Sequence, residues 1–168
     1  MNNPLTIELI NLDKDTQEPI PGAEFRLFYD ELAENEVIGK DGNSIKGVTN
    51  EEGKIILRGF AAGTYYCKEQ VYPIGYIKDG KIYKILVSED GVVTFEDGNN
   101  GIIYSSKITA NVTITKMRAG TTEVLSGAII GVYDSKGEEL SRKTTGIDGT
   151  VEFNGLEPGT YTYKEIEA

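Results

Sequence analysis

Two stretches of this chain superpose without a gap: Thr49 through Glu69 lies on Thr145 through Glu165 at a constant offset of 96. Gly53 falls on Gly149, Gly59 on Gly155, Gly63 on Gly159, Tyr65 on Tyr161 and Glu69 on Glu165. A fixed period carrying the same turn residues means one folding unit used twice. Upstream, Gly22-Ala23 matches Gly127-Ala128 at an offset of 105, so the first copy holds nine more residues between its Gly-Ala pair and Thr49. Those residues fall in the polar stretch Glu31 to Lys46, where Asp41-Gly42-Asn43 signals a turn, and they read as a longer surface loop.

Between the glycines the segments are short, alternating and rich in β-branched and aromatic residues. In the first copy they are Thr6 to Leu9, Phe25 to Phe28, Lys54 to Leu57, Tyr65 to Glu69, Lys81 to Val87, Val92 to Phe95 and Ile102 to Tyr104. Seven such segments separated by turns predict an all-β sandwich of immunoglobulin-like type. Helical periodicity is absent; Tyr29 to Glu36, inside the inserted loop, is the one place where a single helical turn is expected. The first module is expected over 3–108 and the second over 111–168. The short connection Ile108-Thr109-Ala110 lacks a Gly/Ser-rich stretch, which predicts two modules end to end as a stiff rod.

The second copy stops early. The first continues past Glu69 through Pro73-Ile74-Gly75-Tyr76 and about three further strands, whose counterparts would lie beyond Ala168. A sandwich truncated at its C-terminal strands leaves strand edges unpaired. Partial order, strand complementation or domain swapping with a neighbouring chain, and addition of a supplied strand all remain open.

Composition removes several function classes. A net charge of −10 repels phosphate backbones and anionic lipid, against nucleic acid as a partner. No apolar run approaches the roughly 20 residues of a membrane span, so no membrane insertion is expected in this segment, and Met1-Asn2-Asn3-Pro4 runs into a strand-like segment without a signal peptide's apolar stretch. One cysteine, Cys67, and no histidine leave no intrachain disulfide, no Cys/His zinc site and no His-based triad. No cofactor or metal is expected. Asp13-Lys14-Asp15 and Asp41-Gly42-Asn43 lack the ligand count of a calcium loop. Asn111-Val112-Thr113 fits the N-glycosylation triplet at a strand start, where the match is read as incidental. Cys67 shares the inward face of Tyr65 and reads as core.

Order and spacing of the motifs carry a resemblance. Val112-Thr-Ile-Thr-Lys116, Leu125-Ser-Gly127-Ala128 and the run Gly149 to Glu165 resemble the Cna-B-type (SpaA-like) module of Gram-positive adhesins and sortase-assembled pilins. The first copy matches through Asp15 to Phe25 and through Gly63-Thr-Tyr65 to Pro73-Ile-Gly75-Tyr76. The resemblance implies a structural stalk or adhesin segment on the bacterial cell surface, with neighbouring modules or pilin subunits as partners, and no enzyme beyond self-cross-linking. It also implies an intramolecular isopeptide bond between a first-strand Lys and a last-strand Asn or Asp beside a buried Glu. Lys116 and Glu165 take the lysine and glutamate places in the second copy, and Glu69 takes the glutamate place in the first.

That chemistry needs these residue types because burial favours an uncharged amine and a protonated carboxyl, while strand pairing supplies proximity. Strand parity puts Lys116 on the face of Val112 and Ile114, and Glu165 on that of Tyr161 and Tyr163, so both are expected to point inward. Snorkelling of Lys116 and a solvated Glu165 is the alternative. In the first copy Asn11 stands where the lysine belongs, and the last strand ends Ser105-Ser106-Lys107 without an Asn. Either Lys107 attacks Asn11 beside Glu69 in a swapped bond, or the cross-link is lost and Asn11 and Glu69 share a hydrogen bond in a polar pocket. Two other function classes stay open: a module binding host extracellular-matrix protein or glycan through the loop or the Tyr residues, and an accessory β-domain of a secreted enzyme.

Overall fold

Thirteen strands and no helix make up the described residues, 5–168, of the computed structural model. The expected boundary at Asn3 and the lead-in Met1 to Pro4 lie outside them. The chain divides into two compact units, one ending at Lys107 and one starting at Ile108.

The first unit holds β1 (Thr6–Asp13), β2 (Glu24–Phe28), β3 (Lys46–Val48), β4 (Lys54–Arg58), β5 (Gly63–Val71), β6 (Ile82–Val87), β7 (Val93–Phe95) and β8 (Ile102–Ser105). They form two sheets, ordered β4-β1-β8 and β3-β2-β5-β6-β7. All pairings are antiparallel except that of β1 with β8, which runs parallel with Asn11 opposite Ile103 and Asp13 opposite Ser105. Period-two alternation accounts for the layering. Along β1 the side chains of Ile7, Leu9, Asn11 and Asp13 go inward, and along β5 those of Tyr65, Cys67 and Glu69 do. The core between the sheets joins Ile7, Leu9, Phe25, Leu27, Leu57 and Ile85, each worth roughly 1.5–3 kcal/mol when buried.

Two details differ from the sequence expectation. An eighth strand, β3, begins at the last residue of the stretch read as loop; at three residues it is too short to show a period. That stretch is also not wholly surface: Val37 and Ile45 are buried in the core, tied by Leu27 N–H to Ile45 O at 3.0 Å, Val37 N–H to Leu27 O at 2.9 Å and Ile45 N–H to Val37 O at 2.8 Å. Tyr29 to Glu36 closes one hydrogen-bonded turn, Ala33 N–H to Asp30 O at 3.1 Å, and does not continue as helix. The Asp30 carboxylate instead accepts the N–H groups of Leu32, Glu34 and Asn35, the local competition by which Asp diverts backbone from helix.

The second unit repeats the first as far as it goes. It holds β9 (Ala110–Thr115), β10 (Ile129–Tyr133), β11 (Glu139–Thr144), β12 (Thr150–Leu156) and β13 (Thr162–Glu167). These correspond in order to β1 through β5, and pair as β12-β9 and β11-β10-β13. No strand among the described residues stands where β8 flanks β1 or where β6 flanks β5. The core is correspondingly small: Ile130, Val132, Val151 and Phe153, with Ile114, Leu156 and Tyr161 packed at its margin.

Candidate cross-link sites in the two units

In each unit the two candidate positions sit on facing sheets: Asn11 on β1 and Glu69 on β5, Lys116 just past β9 and Glu165 on β13. A backbone irregularity recurs beside the glutamate. The β2–β5 register shifts between Glu24 and Phe25, the β10–β13 register shifts between Ile129 and Ile130, and Phe25 and Ile130 are the residues opposite Glu69 and Glu165. A register shift of this kind re-aims the side chains around it, and it recurs opposite both glutamates.

In the second unit Lys116 Nζ lies 2.7 Å from Glu165 Oε2. The pair forms, but the burial expected of it is absent: the side chains are 27% and 33% exposed. Tyr163, predicted to share the inward face, is 66% exposed, whereas its counterpart Cys67 is fully buried. The reason is local. In the first unit β6 and β8 contribute Tyr83, Ile85, Val87 and Ile103 to the cover over this face, and among the described residues the second unit has no strand there.

The first unit keeps the same two positions dry. Asn11 is 0%, Glu69 6% and Ser105 7% exposed. Ser105 Oγ donates to Asn11 Oδ1 at 2.9 Å. Asn11 Nδ2 and Glu69 Oε1 are buried without a hydrogen-bond partner, so the hydrogen bond expected between Asn11 and Glu69 is not made. Orphans of this kind cost about 1–3 kcal/mol each. Burial, with the Asp79 charge added, pushes Glu69 up to about 7, leaving its carboxyl partly protonated at neutral pH. Cys67, next but one along β5, is enclosed and its thiol is pushed up by burial, which keeps it unreactive. Lys107 lies four residues past Ile103, the residue opposite Asn11, and the side chain that reaches Asn11 is that of Ser105.

Three further buried polar groups complete their hydrogen bonds within the two units. Asp13, fully buried beside the site, accepts N–H bonds from Asp15 at 2.9 Å and Thr16 at 3.0 Å and the Tyr76 hydroxyl at 2.9 Å, so its carboxylate is already engaged. Thr49 Oγ1 accepts from Ala23 N–H at 2.9 Å and donates to Ile20 O at 2.8 Å. Thr145 repeats this on Ala128 N–H at 3.1 Å and Leu125 O at 2.8 Å. Both threonines open the superposable stretch. Asn111 Oδ1 accepts from Gly155 N–H at 3.2 Å.

The domain family SpaA, described as a prealbumin-like fold domain, matches residues 5–101 and 110–168. Among solved structures the Bacillus anthracis TIE protein is 28% identical with a TM-score of 0.68, over 97% of this chain and 28% of that one. A streptococcal ancillary pilin is 23% identical with a TM-score of 0.50, over 98% of this chain and 54% of the pilin. The C-terminal fragment of the pilus adhesin SpaC from Lactobacillus rhamnosus GG is 16% identical with a TM-score of 0.56, over 99% of this chain and 76% of the fragment. The last two likenesses bear on fold alone. The chain thus spans about a quarter of the first of these proteins and about half of the second. No curated protein sequence matches it.

Proposed function

We propose, from the premise that the chain belongs to the SpaA prealbumin-like fold domain family, that it is a structural stalk segment of a Gram-positive pilin or adhesin. In this reading it stands on the cell surface and is joined to neighbouring modules or subunits. Its second unit is then a self-cross-linking module whose acceptor strand is not among the described residues. The observation that carries the reading is the Lys116–Glu165 contact at 2.7 Å beside an unpaired edge of β9. A strand pairing with β9 as β8 pairs with β1 would bring its residue at the Ser105 position beside Lys116. With Asn there, Lys116 Nζ bonds to the side-chain carbonyl carbon, the carboxamide C–N bond breaks, Glu165 carries the proton across, and ammonia leaves. With Asp, water leaves. Strand pairing supplies the proximity that replaces a separate enzyme, and the added strand would supply the part of the cover that β8 gives the first unit.

The test fuses residues 101–107, with Asn in place of Ser105, after Ala168 through a flexible linker. Tethering raises the effective strand concentration to the millimolar range. The expected product carries a linkage at Lys116 and has lost one ammonia that Lys116→Arg and Glu165→Gln both retain. A strand shown by NMR to pair with β9 while Lys116 stays unmodified would sink the cross-linking reading. For the stalk role, the protein is expected in the muramidase-released cell-wall fraction of the producing bacterium; recovery only from the cytosol would overturn it.

A further inference from the structure

The first unit presents a nucleophile at an amide on one sheet and a buried carboxyl on the facing sheet, in an arrangement different from that of the second. Ser105 Oγ is 2.9 Å from Asn11 Oδ1 across the parallel β1–β8 pair. Asn11 Nδ2 has no acceptor and Glu69 Oε1 no donor, although both are shut away from water. Glu69 and Asn11 are the counterparts of Glu165 and Lys116, whose side chains touch.

We infer that the first unit closes with an intramolecular ester between Ser105 and Asn11, with Glu69 as the proton carrier. Ser105 Oγ bonds to Asn11 Cγ and the Cγ–Nδ2 bond breaks. Glu69 accepts the hydroxyl proton and delivers it to the departing nitrogen, which leaves as ammonia. No further reactant enters, and the carboxyl ends as it began.

Three features favour this step at this place. Parallel pairing of β1 with β8 holds the hydroxyl at the amide, so proximity is built into the fold. Glu69, raised to about 7 by burial, can both take and return a proton near neutral pH. The group that leaves is the orphaned donor: departure of Nδ2 removes a buried N–H pair that the fold does not satisfy. Exclusion of water from Asn11, Ser105 and Glu69 protects the ester from hydrolysis. This inference is independent of the stalk reading, because it concerns the first unit's own strands.

Intact-mass measurement of the full chain after incubation at neutral pH tests it. The expected mass is that of the sequence less one ammonia. Trypsin, cutting after Lys14, Lys84 and Lys107, should then yield residues 1–14 and 85–107 as one linked species that alkaline hydroxylamine separates. Ser105→Ala and Glu69→Gln should each restore the full sequence mass, while Lys107→Arg should leave the link in place. The sequence mass in the unaltered protein overturns the ester. So does a link that resists hydroxylamine and blocks cleavage after Lys107, which would mark the Asn11–Lys107 amide instead.

Discussion

The Tyr76 hydroxyl donates to Asp13 Oδ2 at 2.9 Å, joining residues 63 apart in sequence. Around it, Ile77 N–H bonds to Ser106 O at 2.9 Å and Tyr76 bridges Lys107, so the segment after β5 folds over the ends of β1 and β8. The Thr16 N–H, against the opposing effect of burial, and then the Tyr76 hydroxyl, the Asp15 N–H and the Lys107 charge hold Asp13 below the usual carboxylate range. Tyr76→Phe removes one of these donors from a buried carboxylate. We expect a loss of about 1–3 kcal/mol in chemical denaturation of the first unit. Because a depressed carboxyl contributes stability above its unfolded value of 3.8 and loses it as pH falls through the folded value, the variant's acid unfolding should begin at higher pH. An unchanged acid limb would mean that the hydroxyl bond contributes nothing.

Glu69 has the opposite sign. Its folded value, about 7, lies above the reference 4.5, so between those values the folded chain binds the proton that the unfolded chain releases. Stability should therefore be greatest below about 4.5 and fall as pH rises through about 7, by on the order of 3 kcal/mol at most. The acid loss through Asp13 occupies a lower window, so the two can be resolved. Glu69→Gln should flatten the curve between pH 5 and 8 in urea titrations. A wild-type curve already flat there would refute the buried, shifted carboxyl.

Glycines that look alike in the repeat should not behave alike. A Cβ on Gly53 would stand 2.5 Å from Asn11 O, at φ +69°, whereas one on Gly22, at φ +83°, meets nothing within 4 Å. Gly22→Ala then carries only left-handed backbone strain, about 1 kcal/mol. Gly53→Ala adds a clash with the β1 backbone beside the candidate site and should lose at least about 3 kcal/mol. Equal losses in thermal unfolding would count against the close approach of this turn to β1.

The turn glycines and the inward alternation of β1 and β5 were legible because a single residue type or a period of two carries them. The five strands of the second unit follow the first through the offsets of 96 and 105. The inserted loop's buried side was not legible, since Val37 and Ile45 are isolated apolar residues in a polar run whose contacts are with β2. At Ser105 the sequence shows only the absence of an Asn, although parity with Ile103 points the side chain inward. For Lys116 and Glu165 parity gave the direction correctly and the burial wrongly. Parity says which face a side chain joins, and only the strands laid over that face decide whether water reaches it.

That exposure fixes what the Lys116–Glu165 pair contributes to the chain as it stands. Two side chains 27% and 33% exposed, with Nζ and Oε2 2.7 Å apart, gain a Coulomb attraction that solvent largely screens, and ordering the long lysine offsets part of it. A double-mutant cycle of Lys116→Met and Glu165→Gln should give a coupling below about 1 kcal/mol, shrinking further in high salt. The measurement is urea unfolding followed by NMR signals of Ile130 and Val151, which report the second unit's own core. A strand laid along β9 would reduce the screening, and the same cycle repeated on the strand-fused chain, with an alanine at the acceptor position to prevent bonding, should then give a larger coupling. If it does not grow, the added strand does not cover the pair.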